Sequence, residues 1–335
     1  MQRFIIKCSL FFVIILLLFF SIALFKENNS ISSDYMAAII DKHKLIDSIK
    51  TPKIIFGGGS NLAFGIDSKE LENAFGVPVI NMGLHAGLGL DFILNDLKYS
   101  IKPNDIVFLS IEYFLPKEGS YSLQLNTSNY FPPAETFYTK NYFLQFEAEL
   151  ENNRAIFKNI FLVKDNKLKS GVNKSSKIPI YSREAFNQNG DVISHLGEPN
   201  PEMLNDREII LYRYWEGITE INEFDKYAKA KKVNVFFLFP NYPASEYEKN
   251  KKAITALESD LKQNLKIEIL NKPNDLVFPD NYFFNTVYHL NKLGRIKRTQ
   301  KIIELIGKNT KAQHCIAKMQ AELKVLNICC PIKNL

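Results

Sequence analysis

The sequence predicts an α/β protein with a central parallel sheet and helices on both of its faces. Three short apolar runs, at 53–56, 77–81 and 106–111, alternate with stretches that have the apolar spacing of helices. Alternation of this kind places parallel strands in one sheet and connects them through helices that cover it. The chain has 335 residues, of which 46% are hydrophobic, so it can bury a large core. We therefore expect a three-layer α/β/α sandwich.

The N-terminus carries an apolar segment. The run from Cys8 to Phe25 is unbroken and follows Arg3 and Lys7. Its length is at the lower limit for a membrane-spanning helix, and the basic residues in front predict a cytoplasmic N-terminus. Ser21-Ile22-Ala23 resembles a signal-peptide cleavage site, but the run is long for a signal peptide. We expect 1–25 to be a single-pass anchor, with the main domain on the extracytoplasmic side; a cleaved signal peptide would export that domain as well.

The rest of the chain divides by composition. Residues 26–50 are polar and mixed, and we expect a stalk with one short helix. The α/β domain covers 51–307, with helices at 216–230 and 245–263, strands at 233–239 and 267–270, and a closing helix whose basic residues lie on its outside: Lys292, Arg295, Lys297 and Arg298. Residues 308–335 form a C-terminal appendage, helical or disordered.

An insertion at 115–205 interrupts the α/β pattern. It is rich in Tyr, Phe, Asn, Pro and Ser and has no clean periodicity. Insertions of this size are usually lids or substrate-binding subdomains. Its aromatic residues could stack on a sugar or an acyl chain, or could form the core of the insertion itself. These residues are Tyr130, Phe131, Phe137, Tyr138, Tyr142 and Phe143.

Composition excludes several kinds of site. No cysteine lies between residues 9 and 314, so the body of the protein has neither a disulfide nor a cysteine-bound metal. No histidine pair has the i, i+4 spacing of a metal site, and we expect no metal and no cofactor. The net charge is +6, but basic and acidic residues are interspersed, and no basic stripe marks a nucleic-acid groove.

The stretch 53–61 presents one serine at the end of a predicted strand. It reads Lys-Ile-Ile-Phe-Gly-Gly-Gly-Ser-Asn, an apolar strand followed by three glycines and then Ser60. Ligands bind at the carboxyl edge of open parallel sheets, where this serine would lie. The glycines complete neither the phosphate-loop pattern nor the dinucleotide pattern. A serine needs a base to act as a nucleophile. Among the histidines, His289 follows the last strand and can return over the same edge, so we predict that Ser60 and His289 meet there.

Three blocks of residues resemble the SGNH (GDSL-like) hydrolase superfamily, and most of all its membrane-anchored, envelope-facing branch, which is linked to polysaccharide O-acetylation. The resemblance covers roughly residues 50–307 without the insertion. The blocks are Gly58-Gly59-Ser60-Asn61 with Ala63-Phe64-Gly65-Ile66-Asp67, then Asn81-Met82-Gly83, and then Tyr288-His289-Leu290-Asn291 with Gly294. The resemblance implies a flavodoxin-like sheet, a nucleophile at Ser60, a base at His289, and an oxyanion hole formed by the N–H groups of Ser60 and Gly83.

The chain departs from the SGNH pattern at two places. The family supplies an asparagine to the oxyanion hole after the third strand, where this chain has Glu112. The family also places an aspartate three residues before the histidine, where this chain has Thr286. We expect Asn285 to hold the imidazole through its amide oxygen, as an asparagine does in some cysteine proteases, with Asp280 as an alternative orienting acid.

These observations support two functions. The first is an exported, membrane-anchored serine esterase or O-acyltransferase that acts on acylated cell-envelope glycans or on small esters. The second is a non-catalytic SGNH-like module that binds a glycan or assists a membrane O-acyltransferase. The missing asparagine and aspartate motivate the second reading.

Overall fold

The computed structural model describes residues 3–14, 17, 33–144, 147 and 177–325. The strands in chain order are β1 (Ile54–Gly58), β2 (Val79–Asn81), β3 (Ile106–Ser110), β4 (Asn234–Phe237), β5 (Tyr242–Pro243), β6 (Glu268–Ile269) and β7 (Val277–Phe278). Five of them form a parallel sheet in the order β2-β1-β3-β4-β6, and β5 pairs with β7 in a separate two-stranded ribbon.

Helices connect the strands and flank the sheet. In chain order they are α1 (Ala38–Ser48), α2 (Ser60–Ala63), α3 (Ser68–Phe75), α4 (Leu90–Ser100), α5 (Tyr121–Tyr130), α6 (Gly217–Ala230), α7 (Ala244–Asn264), α8 (Lys292–Lys308) and α9 (Thr310–Val325). Local signals fix the ends of α3. The Asp67 side chain accepts the Glu70 N–H at its start, and Gly76 ends it at a φ of +63°, a conformation that glycine adopts without strain.

Side chains of the strands alternate between two apolar layers. Ile55, Val107 and Phe237 face a cluster that includes residues of α1, α4, α6 and α7. Ile54 and Phe108 face a cluster that includes residues of α3, α8 and α9. Strands buried on both faces in this way read as continuous apolar runs, which is why the sequence predicts them. The two layers confirm the predicted three-layer α/β/α sandwich.

The sheet has its switch point between β1 and β3. The chain proceeds from β1 to β2 on one side, and β3 lies on the other side of β1. At such a point open α/β sheets bind ligands in a crevice beyond the carboxyl ends of the strands. β1 and β3 approach each other closely at their carboxyl ends: a Cβ atom added to Gly58 would lie only 2.1 Å from the Ser110 carbonyl oxygen. Ser60 follows β1 and Glu112 follows β3, so both come to this crevice.

Residues before β1 and residues of the insertion share a third apolar cluster. Tyr35 and Ile39, which belong to the predicted stalk at 26–50, are buried there together with Phe64 and Phe137. The segment 33–48 packs on the domain because its apolar residues repeat at helical spacing. Of the six aromatic residues named above, Phe137 and Tyr138 are buried, whereas Tyr142 is 82% and Phe143 is 68% exposed. Most residues between 145 and 176 lie outside the described ranges.

The segment after α8 contributes to the core. Helix α9 buries Ala312, Ile316, Met319 and Leu323 in the cluster on one face of the sheet. Their spacing of three to four residues places them on one side of the helix. The remaining residues of the predicted appendage, 326–335, lie outside the described ranges, as do Cys329 and Cys330.

Residues 3–14 are helical and exposed. Within the described residues, no helix combines the length and the apolar character needed to cross a membrane. Much of the predicted anchor, residues 15–16 and 18–25, lies outside the described residues, as does the start of the predicted stalk.

Candidate active site

Ser60 is the first residue of the short helix α2, directly after the Gly-rich end of β1. Its side chain is half-buried. The N–H of Ser60 donates no hydrogen bond to any described residue, so it is free to bind a ligand. The strand therefore delivers one hydroxyl and one free N–H to the crevice at the switch point.

The residue after the serine is held on all sides. The Asn61 N–H donates to Glu112 Oε1 at 2.9 Å, and the Asn61 side chain donates to the Ser110 carbonyl oxygen at 2.9 Å. Arg298 donates to the Asn61 carbonyl oxygen and, at 2.8 Å, to Asn61 Oδ1. Because every polar group of Asn61 has a partner, the backbone on the C-terminal side of Ser60 is fixed.

Arg298 is fully buried, contrary to the prediction that places the basic residues of this helix on its outside. Arg295 is also buried, where it donates to the Ile66 carbonyl oxygen and contacts Asp191. Both arginines face inward, where their guanidinium groups donate hydrogen bonds to buried backbone carbonyl oxygens near Ser60 and to the Asp191 carboxylate. Without these donors the buried acceptors would be unsatisfied. Burial lowers the pKa of Arg298 to about 9, and the nearby Glu112 opposes that shift.

His289 and Asn285 are brought together by a tight loop. An antiparallel bridge joins Phe283 to Leu290, and the Phe284 N–H donates to the His289 carbonyl oxygen at 2.7 Å. The chain therefore reverses direction between Phe283 and Leu290. This turn brings together Asn285 and His289, which are four positions apart but do not lie in a helix. The distance from His289 Nδ1 to Asn285 Oδ1 is 2.9 Å.

The orientation of Asn285 determines the tautomer of His289. The Asn285 amide nitrogen donates to the Tyr181 hydroxyl at 2.6 Å, which turns its oxygen toward the imidazole. An oxygen at Nδ1 accepts a hydrogen bond, so Nδ1 carries the proton and Nε2 is the unprotonated nitrogen. Tyr181 belongs to the insertion, and its hydroxyl lies 3.4 Å from the same Nδ1.

A ring stack joins His289 to the chain segment that follows Ser60. The imidazole lies on the Phe64 ring with their centroids 3.9 Å apart and their planes 8° from parallel. The Phe64 N–H donates to the Ser60 carbonyl oxygen at 3.0 Å, so the stacked pair is one helical turn from Ser60. No hydrogen bond joins the Ser60 hydroxyl to His289 in the described ranges.

Burial keeps His289 neutral. Burial, together with the neighbouring His195 and His85, lowers the pKa of His289 to about 3. His195 is also buried; its Nε2 lies 2.9 Å from the Leu290 carbonyl oxygen, and burial lowers its pKa to about 4. At neutral pH the site therefore contains a neutral imidazole that can accept a proton but is a weak base.

Gly83 lies against the Ser60 turn. A Cβ atom there would lie 2.7 Å from Leu62 Cβ and 2.8 Å from the Gly59 carbonyl oxygen, so only glycine fits. The Gly83 N–H donates to Asn81 Oδ1 at 2.9 Å. The structure thus brings Gly83 to the candidate site, with its N–H bonded to Asn81 rather than open to the crevice.

Asp280 lies away from the imidazole. Its Oδ1 accepts the Ser245 N–H at 3.1 Å, in the first turn of α7. Of the two residues considered as orienting groups for His289, the structure therefore brings Asn285 to Nδ1 and places Asp280 at a helix N-terminus.

Sequence reasoning assigns no role at this site to Tyr181, Phe64 or Arg298. Tyr181 lies in the aperiodic insertion, and no pattern there indicates a partner. Phe64 reads as an ordinary core residue. A signal does exist for Arg298, since α8 places it on the same side as the buried Ile302.

No protein-family model matches the chain, and no curated protein is similar to it at a significant level. The five-stranded parallel sheet is compatible with an SGNH-like fold.

Proposed function

We propose that this protein is an exported, membrane-anchored SGNH-like serine esterase or O-acyltransferase that acts on acylated cell-envelope glycans. The observation that supports it best is the position of His289. The imidazole is held by Asn285 at Nδ1 and stacks on Phe64, one helical turn from Ser60, at the switch point of the sheet. A nucleophile, a base and an orienting group beside a crevice are the elements of acyl-transfer catalysis.

The reaction proceeds by the transfer of one acyl group through the serine. His289 Nε2 takes the proton of the Ser60 hydroxyl as Oγ attacks the ester carbonyl carbon, and the free N–H of Ser60 stabilises the oxyanion. The imidazolium then gives its proton to the departing alcohol, which leaves an acyl-serine. A water molecule or a sugar hydroxyl then attacks this ester and gives its proton to His289. Ser60 Oγ leaves and takes that proton from the imidazolium, which restores both residues and releases an acid or a new ester.

Catalysis requires the hydroxyl and the imidazole to come closer than they are in this structure. Catalytic hydrogen bonds are often long before the substrate binds and shorten in the complex. The half-buried Ser60 side chain has freedom to rotate, because its hydroxyl makes no hydrogen bond to a described residue.

A second candidate function is a non-catalytic SGNH-like module that binds a glycan or assists a membrane O-acyltransferase. The weak basicity of His289 favours it, because a pKa of about 3 leaves little driving force for proton removal from a serine. The bond from the Gly83 N–H to Asn81 also favours it, since that group is then not offered to an oxyanion.

The test of the enzyme proposal is ester hydrolysis by the full-length chain in detergent. We expect wild type to hydrolyse p-nitrophenyl acetate and Ser60→Ala to lose about a thousandfold in kcat/KM, because the nucleophile is removed. Ser259→Ala is the matched control, since it removes an exposed hydroxyl on α7. Equal rates for wild type and Ser60→Ala would exclude Ser60 from the mechanism.

A fluorophosphonate probe separates the two candidate functions. Such probes bond to serines that a neighbouring base activates. We expect mass spectrometry to locate the adduct on Ser60 in wild type and in Ser259→Ala. A protein that stays unlabelled would support the non-catalytic module, whereas a stoichiometric adduct at Ser60 would rule that module out.

A further inference from the structure

Glu112 lies directly behind the turn that carries Ser60. It follows β3 at the switch point, and only 3% of its surface is exposed. A Cβ atom added to Gly59 would lie 2.4 Å from Glu112 Oε1 and 2.6 Å from Oε2. The carboxyl group therefore packs on the Cα atom of Gly59, the residue before Ser60. It also accepts the N–H of Asn61, the residue after Ser60.

The two oxygens of Glu112 have different surroundings. Oε1 accepts the Asn61 N–H at 2.9 Å. Oε2 is buried and has no hydrogen-bond partner among the described residues. An ionised carboxylate has two acceptor oxygens, and burying one of them without a donor is costly. A protonated carboxyl group avoids the larger cost, which is that of burying a charge.

The charged and titratable groups around Glu112 do not neutralise it by an ion pair. Arg298 on α8 is near, but its guanidinium donates to Asn61 and to Ser110, and no ion pair to Glu112 forms within the described ranges. The other titratable groups that interact with it are Tyr35, before α1, and Tyr288, in the histidine loop; the Tyr35 hydroxyl donates to the Leu84 carbonyl oxygen, and the Tyr288 hydroxyl accepts the Tyr113 N–H. Burial raises the pKa of Glu112, against the opposing effects of Asn61 and Arg298.

We propose that Glu112 is a positioning residue that holds the Ser60 turn as a neutral carboxyl group. Its carboxyl fixes residues 59 and 61 on both sides of the serine. Its neutrality matters because nucleophilic attack creates a negative charge on the substrate oxygen beside Ser60, and an ionised carboxylate behind the turn would oppose that charge. This role in the reaction depends on the proposed function, whereas the neutral state and the hold on the turn do not.

The first experiment measures the protonation state and the turn without any reaction. Difference infrared spectra of wild type and Glu112→Gln should show the carbonyl stretch of one protonated carboxyl group at about neutral pH. Amide hydrogen exchange in the 59–63 peptide should be slow in wild type and in Glu112→Gln, because glutamine keeps a neutral oxygen for the Asn61 N–H, and at least tenfold faster in Glu112→Ala. Asp225→Asn, which removes a similarly buried carboxylate on α6, is the control that leaves this exchange unchanged.

The second experiment measures the effect on p-nitrophenyl acetate hydrolysis. Glu112→Ala should lower kcat by about a hundredfold with little change in KM, since the turn is then displaced. Glu112→Gln should restore most of the rate, because glutamine keeps a neutral oxygen for the Asn61 N–H.

The outcomes separate the two proposals. Infrared spectra that show an ionised Glu112 would overturn the inference. So would equal effects of Glu112→Gln and Glu112→Ala on amide exchange in the 59–63 peptide or on kcat. A wild-type protein that hydrolyses no ester and takes up no fluorophosphonate would overturn the proposed enzyme, while the spectra and the exchange rates still decide whether Glu112 is neutral and holds the turn.

Discussion

At the scale of single residues, Asn285 limits how strong a base His289 can be. Its amide oxygen fixes the tautomer by accepting a hydrogen bond from Nδ1–H. A neutral oxygen stabilises the imidazolium that forms when the serine proton is taken much less than a carboxylate in the same place does. Burial and the neighbouring histidines lower the pKa of His289 further. The site therefore has the geometry of a catalytic pair with a weakened base.

Asn285→Asp should strengthen that base. A carboxylate at Nδ1 raises the pKa of His289, because an opposite charge within hydrogen-bond distance favours the protonated ring. We expect kcat for p-nitrophenyl acetate to rise about tenfold. We also expect the acid limb of the pH–rate profile to move to higher pH, since the ring then loses its base form at a higher pH.

The matched control is Asn281→Asp, which introduces the same charge at an exposed position four residues earlier. Its rate and its pH profile should stay close to those of wild type. A kcat in Asn285→Asp that is equal to or below that of wild type would contradict a general-base role for His289 held through Nδ1.

At the scale of helices and strands, the sequence predicts elements better than it predicts their partners. The runs at 53–56 and 106–111 are continuous and apolar, and they form β1 and β3 near those positions. The packing of α9 on the sheet and the burial of Arg298 are not predicted. Apolar periodicity shows which side of a helix is buried, but it does not show what that side meets, because distant parts of the chain supply the partner.

Gly58 makes the close approach of β1 to β3 possible. A Cβ atom there would lie 2.1 Å from the Ser110 carbonyl oxygen, which is backbone of the central strand and cannot turn aside. We expect Gly58→Ala to lower the free energy of unfolding by about 3 kcal/mol or more, because the strands must separate. Urea denaturation followed by circular dichroism measures the change.

Gly307→Ala is the control for this substitution. Gly307 lies in α8, and no atom lies within 4 Å of the position that its Cβ would occupy. Alanine should therefore stabilise the protein by about 0.5–1 kcal/mol, because it favours the helical backbone. If the two variants had the same free energy of unfolding, the close contact at Gly58 would not determine the spacing of the strands.

At the scale of the whole molecule, the candidate site is assembled from distant parts of the chain. Ser60 and His289 can be selected from the sequence, because one follows a Gly-rich strand end and the other directly precedes the helix that closes the predicted α/β domain. The contact between Phe64 and His289 and the bond from Asn285 to Tyr181 cannot be predicted, since each depends on how the insertion and the histidine loop pack over the sheet. The sequence shows that a glutamate stands at position 112, but not that it is buried behind Gly59, because that burial depends on how the strands pack.

The same packing makes the stability of the fold depend on pH. His289 and His195 are buried as neutral rings, and burial lowers their pKa values to about 3 and about 4, below the 6.5 of an exposed histidine. Between about pH 6.5 and about pH 4 the unfolded chain binds protons that the folded chain does not bind, so the free energy of unfolding falls as pH falls. Each ring contributes at most about 1.4 kcal/mol per pH unit to this slope.

His289→Gln removes one of these contributions. Other groups titrate in the same window, so the informative quantity is the free energy of unfolding of wild type minus that of His289→Gln, measured by urea denaturation at several pH values. We expect this difference to be constant above about pH 7.5 and to decrease as pH falls from about 6.5 to about 4. Ser60→Ala removes no titratable group, so its difference from wild type should be independent of pH. A His289→Gln difference that is equally flat would mean that the imidazole takes up its proton in the folded state at its ordinary pKa, in which case it is exposed to solvent rather than enclosed between Phe64 and Asn285.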